Sequence, residues 1–154
     1  MSGWNDSPDY TPPPPPKWFW ALAIGVLALI ALGGAAFADP CEAELPTKAG
    51  TVFSGTVKYV VDGDGICVGA GNDPHAWIEV RLADFDAPEL HTSEGRIAKN
   101  VMERIALGQP ATCVVIPGRS GRTTSWDRVH ASCEINGASL AALMRDAGVA
   151  EGGR

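Results

Sequence analysis

The side chains in this sequence that could do chemistry together are mostly carboxylates. Asp62 and Asp64 sit two residues apart in Asp62-Gly63-Asp64-Gly65, and Asp84, Asp86 and Glu89 crowd one short stretch further on. Carboxylates gathered this way repel one another unless something positive joins them. A hard cation with oxygen ligands, Ca²⁺ or Mg²⁺, is the natural partner, because such ions take carboxylates, carbonyls and waters rather than sulfur. Arg81 and Arg128 add the complementary charge, and guanidinium groups suit phosphate oxygens. Each feature also has a plainer reading. Asp-Gly-Asp-Gly is a common turn, and either arginine could pair with Glu79 or Asp127 at the surface. The EF-hand pattern is not met, since no closing glutamate follows at the required spacing.

The elements that must position these groups are short. Residues 51–61 are rich in valine, threonine and aromatics and stop at the Asp-Gly-Asp-Gly cluster, and residues 66–68 resume the apolar character. Residues 77–82 alternate, with Ile78, Val80 and Leu82 on one face and Trp77, Glu79 and Arg81 on the other. Pro88 then breaks any ladder and leaves the acidic stretch as a loop. Thr92 or Ser93 can cap a helix running to Leu107, whose apolar stripe is Ile97, Val101 and Ile105, widened by Ala98 and Met102. Residues 111–116 and 129–135 read as strands around a glycine- and arginine-containing loop. An Asn136-Gly137 turn follows, and a last helix is expected over 138–147. This order predicts an α+β protein that is mainly β, a small antiparallel barrel with two packed helices.

The 154 residues, 45% of them apolar, suffice for one core at roughly 100–200 residues per domain. The net charge of −6 excludes a protein that coats nucleic acid through bulk positive charge, so any phosphate recognition must be local. Residues 1–17, with the block Pro12 to Pro16, read as a disordered, extended leader. Residues 18–38 carry no charge and would span roughly 31 Å as a helix, enough to cross a bilayer. Lys17 before the run and Asp39, Glu42 and Glu44 after it favour export of residues 39–154. The run ends in Ala36-Phe37-Ala38, so it reads either as a signal peptide cleaved before Asp39 or as a retained transmembrane anchor. Residues 39–50 read as a linker, and residues 51–154 as the folded domain.

Cys41, Cys67, Cys113 and Cys133 all lie beyond the apolar run, in what would be an oxidising, extracytoplasmic compartment. None has C-x-x-C spacing and the histidines are not clustered with them, which disfavours zinc. Of the three connectivities, Cys113 with Cys133 is expected, because two strand-like runs joined by a polar loop could pair antiparallel. That leaves Cys41 with Cys67.

Four stretches together resemble the staphylococcal nuclease-like, or thermonuclease, family. They are Val61-Asp62-Gly63-Asp64; Val80-Arg81-Leu82-Ala83-Asp84-Phe85-Asp86-Ala87-Pro88-Glu89; Asp127-Arg128-Val129-His130-Ala131; and Asn136-Gly137 through Gly148-Val149-Ala150. The resemblance implies an OB-fold barrel and calcium-dependent hydrolysis of DNA or RNA phosphodiesters, with the 5′ P–O bond broken and 3′-phosphate ends left. It implies that Asp64 and Asp86 hold Ca²⁺ with the Ala87 carbonyl, that Asp62 sits just behind, that Glu89 activates or orients the attacking water, and that Arg81 and Arg128 bind the phosphate. Replacing Glu89 with Gln or Arg81 with Ala would then lower turnover by orders of magnitude without unfolding the domain.

The chain departs from the family at Gly65 and Ala87, where threonine occurs, and at Trp126, where a tyrosine is expected and which still offers an aromatic face to a base or sugar. The family's third helix has no counterpart before Arg154, so a weaker grip on substrate is expected, with Trp77, Trp126 and His91 as aromatic substitutes. The competing reading is a non-catalytic OB-fold module, exported or membrane-tethered, that binds nucleic acid or a protein.

Overall fold

Alternating burial shapes the strands of this protein into a closed barrel in the computed structural model, which describes residues 39–152. The strands are β1 (Val52–Val60), β2 (Gly65–Gly69), β3 (Trp77–Leu82), β4 (Pro110–Val115), β5 (Thr124–Ser125), β6 (Arg128–Ile135) and β7 (Ala138–Ser139); the helices are α1 (Ser93–Ala106) and α2 (Leu140–Asp146). In β4 and β6 every second residue is buried, the period of a sheet with one face on a core. Val57, Ile66, Val80, Val115 and Val129 meet inside, all at 0% exposure. Five strands close in the order β1-β2-β3-β6-β4, with β4 returning to β1, while β5 and β7 pair with β6. The architecture is a small five-stranded barrel with two helices, consistent with an OB-like α+β fold.

One expectation about the barrel needs correcting. It is not wholly antiparallel, because β3 and β6 close it in parallel through Val80↔Val129, Arg81↔His130 and Leu82↔Ala131. A parallel pair needs a long crossover, and here α1 and β4 supply it.

Thr92 caps α1, its hydroxyl accepting the Gly95 N–H at 2.9 Å. The helix buries Ala98, Val101, Met102 and Ala106, and Ile97 is 60% exposed. The apolar stripe is therefore rotated from the expected one. Gly95 lies on the inward side, and Ala98 and Met102 follow it at three- and four-residue steps, leaving Ile97 outside. The final helix is shorter than expected, because Ala138 and Ser139 form β7 against Glu134 and Ile135 before Ser139 caps α2.

Residues 39–50 contain no helix or strand, yet they are fastened to the barrel rather than spanning freely. Glu42 and Ala43 donate backbone N–H groups to the carbonyls of Pro74 and Trp77, and Cys41 is disulfide-bonded to Cys67 of β2. This cover explains why all five β2 residues are buried, on both faces of the sheet. The second disulfide joins Cys113 and Cys133, directly opposite in β4 and β6. Both expected pairings are present, and both fit an oxidising environment. Replacing Cys113 and Cys133 together with alanine is expected to lower stability by about 2–5 kcal/mol, read by urea unfolding. A midpoint equal to that of the unaltered chain would show that the cross-link constrains nothing.

Among the described residues no helix is long and apolar enough to cross a membrane. The leader expected at 1–17 and the apolar run at 18–38 lie outside the described residues.

Candidate functional site

Strand register brings the distant charges together. Gly65 pairs with Arg81 across β2 and β3, and Arg81 pairs with His130 across β3 and β6, so the Asp64 turn, the end of β3 and the start of β6 share one corner of the barrel. The turn is built around its own acids. Asp62 Oδ1 accepts the Asp64 N–H at 3.0 Å, which puts Asp62 directly behind Asp64. A Cβ on Gly65 would come within 2.8 Å of that same Oδ1, so the inward fold of Asp62 and the missing side chain at 65 belong together.

Asp64 is 1% exposed, and its two oxygens face different partners. Oδ2 accepts the Ala87 N–H at 2.6 Å, while Oδ1 lies 2.6 Å from Arg81 Nη1, a charge contact without the alignment of a hydrogen bond. Arg81 Nη2 donates to Asp86 Oδ1 at 2.5 Å. One guanidinium thus bridges the two acids that the sequence resemblance implies as calcium ligands. Burial above all, with the neighbouring Asp62 charge, pushes the Asp64 carboxyl up to about 8, against the opposing pull of Arg81.

The residues fit a hard cation in one respect and differ from expectation in another. A buried carboxylate oxygen without an aligned donor among the described residues, beside a second acid and with Asp86 close by, is a place where added positive charge lowers the free energy. Ala87, however, turns its N–H toward Asp64 rather than its carbonyl. That carbonyl lies against the C-terminal segment, where a Cβ on Gly152 would meet it at 2.7 Å. The ligand set expected of Asp64, Asp86 and the Ala87 carbonyl is therefore represented here by its two carboxylates.

Beside this bridge opens a cavity of about 560 Å³, lined among others by Arg81, Asp86, Arg119, Trp126, Arg128 and His130. Trp126 projects at its rim, 93% exposed, from the two-residue turn between β5 and β6, where its φ of 56° is a left-handed geometry uncommon for a bulky side chain. Arg128 lines the cavity but leans toward Glu79, its Nε 3.7 Å from Oε1. Neither Trp77 nor His91 lines the cavity, so of the aromatic substitutes only Trp126 reaches it. Burial leads the causes that lower the His130 imidazole below its usual value, with nearby arginines adding to it.

Glu89 is exposed and is not among the cavity-lining residues. Its backbone is held firmly: the carbonyl accepts both the N–H and the hydroxyl of Thr92. Gly95 packs against this same peptide, and a Cβ there would fall 2.0 Å from the Glu89 oxygen and 2.7 Å from that of Pro88. Because both obstacles are backbone, Gly95→Ala must displace the loop. It is expected to destabilise the protein by about 1–3 kcal/mol, as overpacking does, and to reduce any activity that depends on Glu89. Thermal unfolding and a turnover assay on that variant check this, and an unchanged melting point would show the loop is free to move.

Two participants were not identified from the sequence, and a third, Glu79, was named there only as a surface partner for an arginine. Arg119 lies in the loop recognised only as glycine- and arginine-containing, yet its Nη2 sits 3.7 Å from Asp86 Oδ2. The C-terminal segment crosses the acidic loop: Gly152 donates to the Asp86 carbonyl at 2.7 Å, and Glu151 pairs with Arg145. Glu79 is 3% exposed despite its place on the outward face of β3. Only the arginine spacing offered any signal in the sequence, because the other two depend on which segments fold over the barrel. No protein-family model matches this chain, and no curated protein matches it.

Proposed function

We propose that this protein is a calcium-dependent phosphodiester hydrolase that acts on DNA or RNA outside the cytoplasm, where residues 18–38 direct it as signal or anchor. The observation that carries this reading is the meeting of Arg81, Arg119 and Arg128 with Asp84, Asp86 and Glu151 on one cavity of a chain with net charge −6, where Arg81 also joins Asp86 to Asp64. An acidic protein that concentrates guanidinium groups in one concave place is suited to an anion there, and their forked donors match phosphate oxygens. The five-stranded barrel with two helices is consistent with the OB-like fold that the sequence resemblance implies.

In this reading Arg81 and Arg128 hold the phosphate and offset charge growing on its oxygens. Glu89 accepts a proton from the attacking water as the new P–O bond forms, the 5′ P–O bond breaks, and the departing oxygen takes a proton from solvent water to leave as a hydroxyl. Trp126 offers its face to a base or sugar. Asp64 and Asp86 would hold Ca²⁺, with Asp62 behind, and the ion would supply further stabilisation of phosphoryl charge.

The test is hydrolysis of single-stranded DNA and RNA by the full chain, with Ca²⁺ and with chelator. Cleavage is expected with the ion, and loss of cleavage without it. Because the affinity rests on local charge, binding is also expected to weaken steeply with added salt. Absence of hydrolysis at any calcium concentration would overturn the proposal.

A second reading has its own support. Arg81 is already engaged by two carboxylates, and Glu89 lies outside the cavity lining, an arrangement that would suit a non-catalytic OB-fold module binding nucleic acid or a protein. Oligonucleotide binding without cleavage, indifferent to calcium, would favour it.

A further inference from the structure

A second group of acids lies on the outer face of β3, away from the Asp64 turn. Asp39, Glu79 and Asp127 each place a carboxylate oxygen so that all three lie within 4.8 Å of one another. They come from three segments: the strap of 39–43 over the sheet, the middle of β3, and the turn before β6. Strand register explains the meeting, because Glu79 stands opposite Cys67, whose disulfide to Cys41 draws Asp39 over the same face. Asp39 is held there too, its Oδ1 accepting the Cys41 N–H at 3.1 Å.

The decisive atom is Glu79 Oε2. Glu79 is 3% exposed, this oxygen is buried without a hydrogen-bond partner among the described residues, and one of the two Glu79 oxygens belongs to the acid cluster. Its sister oxygen has the 3.7 Å approach of Arg128 Nε. A buried carboxylate with one distant guanidinium and two acidic neighbours is costly unless it takes up a proton or a further cation joins it.

We infer that Asp39, Glu79 and Asp127 form a separate binding site for a hard divalent cation such as Ca²⁺, distinct from the Asp64–Asp86 pair. Oxygens within 4.8 Å of one another reach one ion at the roughly 2.3–2.6 Å typical of Ca²⁺ with side-chain shifts of about half an ångström at most, and water completes the shell on the exposed Asp127 side. Burial, followed by the charges of Asp39 and Asp127, raises the Glu79 carboxyl to about 8, so an ion binds there in competition with a proton. The neighbouring cluster of Asp39, Cys41 and Cys67 offers no such site, because its sulfurs are bonded to each other. The site stands independently of hydrolysis. An ion there would share Glu79 with Arg128, which also lines the arginine cavity.

Calcium titration of the full chain by calorimetry, together with terbium luminescence excited through tryptophan, tests the site, since Trp126 adjoins Asp127 and Trp77 shares the Glu79 face of β3. The double variant Glu79→Gln/Asp127→Asn is expected to bind about one Ca²⁺ fewer per chain and to lose roughly tenfold in terbium emission. Asp86→Asn is expected to retain this emission, which separates the site from the proposed catalytic one. Equal stoichiometry and emission in the unaltered chain and the double variant would overturn the inference. Should the double variant fail to fold, Asp127→Lys gives the same decision at an exposed position. Its ammonium is expected to abolish the ion's binding and raise the melting temperature in chelator, and an unchanged calcium count would overturn the inference.

Discussion

Above pH about 8, where Asp64 is ionised, replacing Arg81 with alanine is expected to destabilise the fold by about 3–5 kcal/mol as well as to remove phosphate binding, because it leaves a buried acid without its counter-charge. Asp64 is almost wholly enclosed, Arg81 approaches its Oδ1 at 2.6 Å, and the same guanidinium reaches Asp86. Without it, Asp62, Asp64 and Asp86 face one another with the longer contact of Arg119 on Asp86 as the remaining counter-charge among the described residues. This revises the expectation from sequence that an alanine at 81 would act on turnover alone. Calcium separates the two roles. If Asp64 and Asp86 hold the ion, Ca²⁺ should restore much of the lost stability to Arg81→Ala while hydrolysis stays depressed by several orders of magnitude. Urea unfolding with calcium and with chelator, run beside a turnover assay, reads both. A variant as stable as the unaltered chain in chelator would show that the bridge contributes nothing.

Glu89→Gln should behave in the opposite way. The substitution keeps the shape of the side chain and removes its ability to take a proton, so turnover is expected to fall about 10²–10⁴-fold, the usual contribution of a general base. Stability should move less than in Arg81→Ala, because Glu89 is exposed and the substitution leaves in place its backbone carbonyl, which accepts both the N–H and the hydroxyl of Thr92. Calcium binding should also survive, since Asp64 and Asp86 are untouched. Hydrolysis undiminished in this variant would remove Glu89 from the mechanism and turn attention to groups inside the cavity.

These two residues also show why local pattern reaches only part of a site. Arg81 was recognisable as charged and outward-facing from the alternation of 77–82, and the barrel does place it off the aliphatic face. Its pairing with Asp64 was not recognisable, because that contact depends on the register of β2 against β3. Glu79 obeys the same alternation and yet is buried, since outward from a barrel does not mean exposed once another segment crosses it. Ile97 errs the other way: its spacing in α1 suits an apolar stripe, but the helix is rotated by the surface on which it packs.

Composition and spacing alone indicated the five longer strands, a helix capped at Thr92 or Ser93, the turns at Asp-Gly-Asp-Gly and Asn-Gly, and the partnership of Cys113 with Cys133. Each of these rests on interactions between residues near in sequence or in adjoining strands, where side-chain period and turn chemistry act directly. Tertiary structure decided the parallel closure of β3 on β6, the strap of 39–43 that buries Glu79, the passage of the C-terminal segment over the acidic loop, and the bridging of two carboxylates by Arg81. Those features join residues whose separation along the chain carries no local signal. They exist only because burying the barrel's apolar faces forces particular segments across its outer surface.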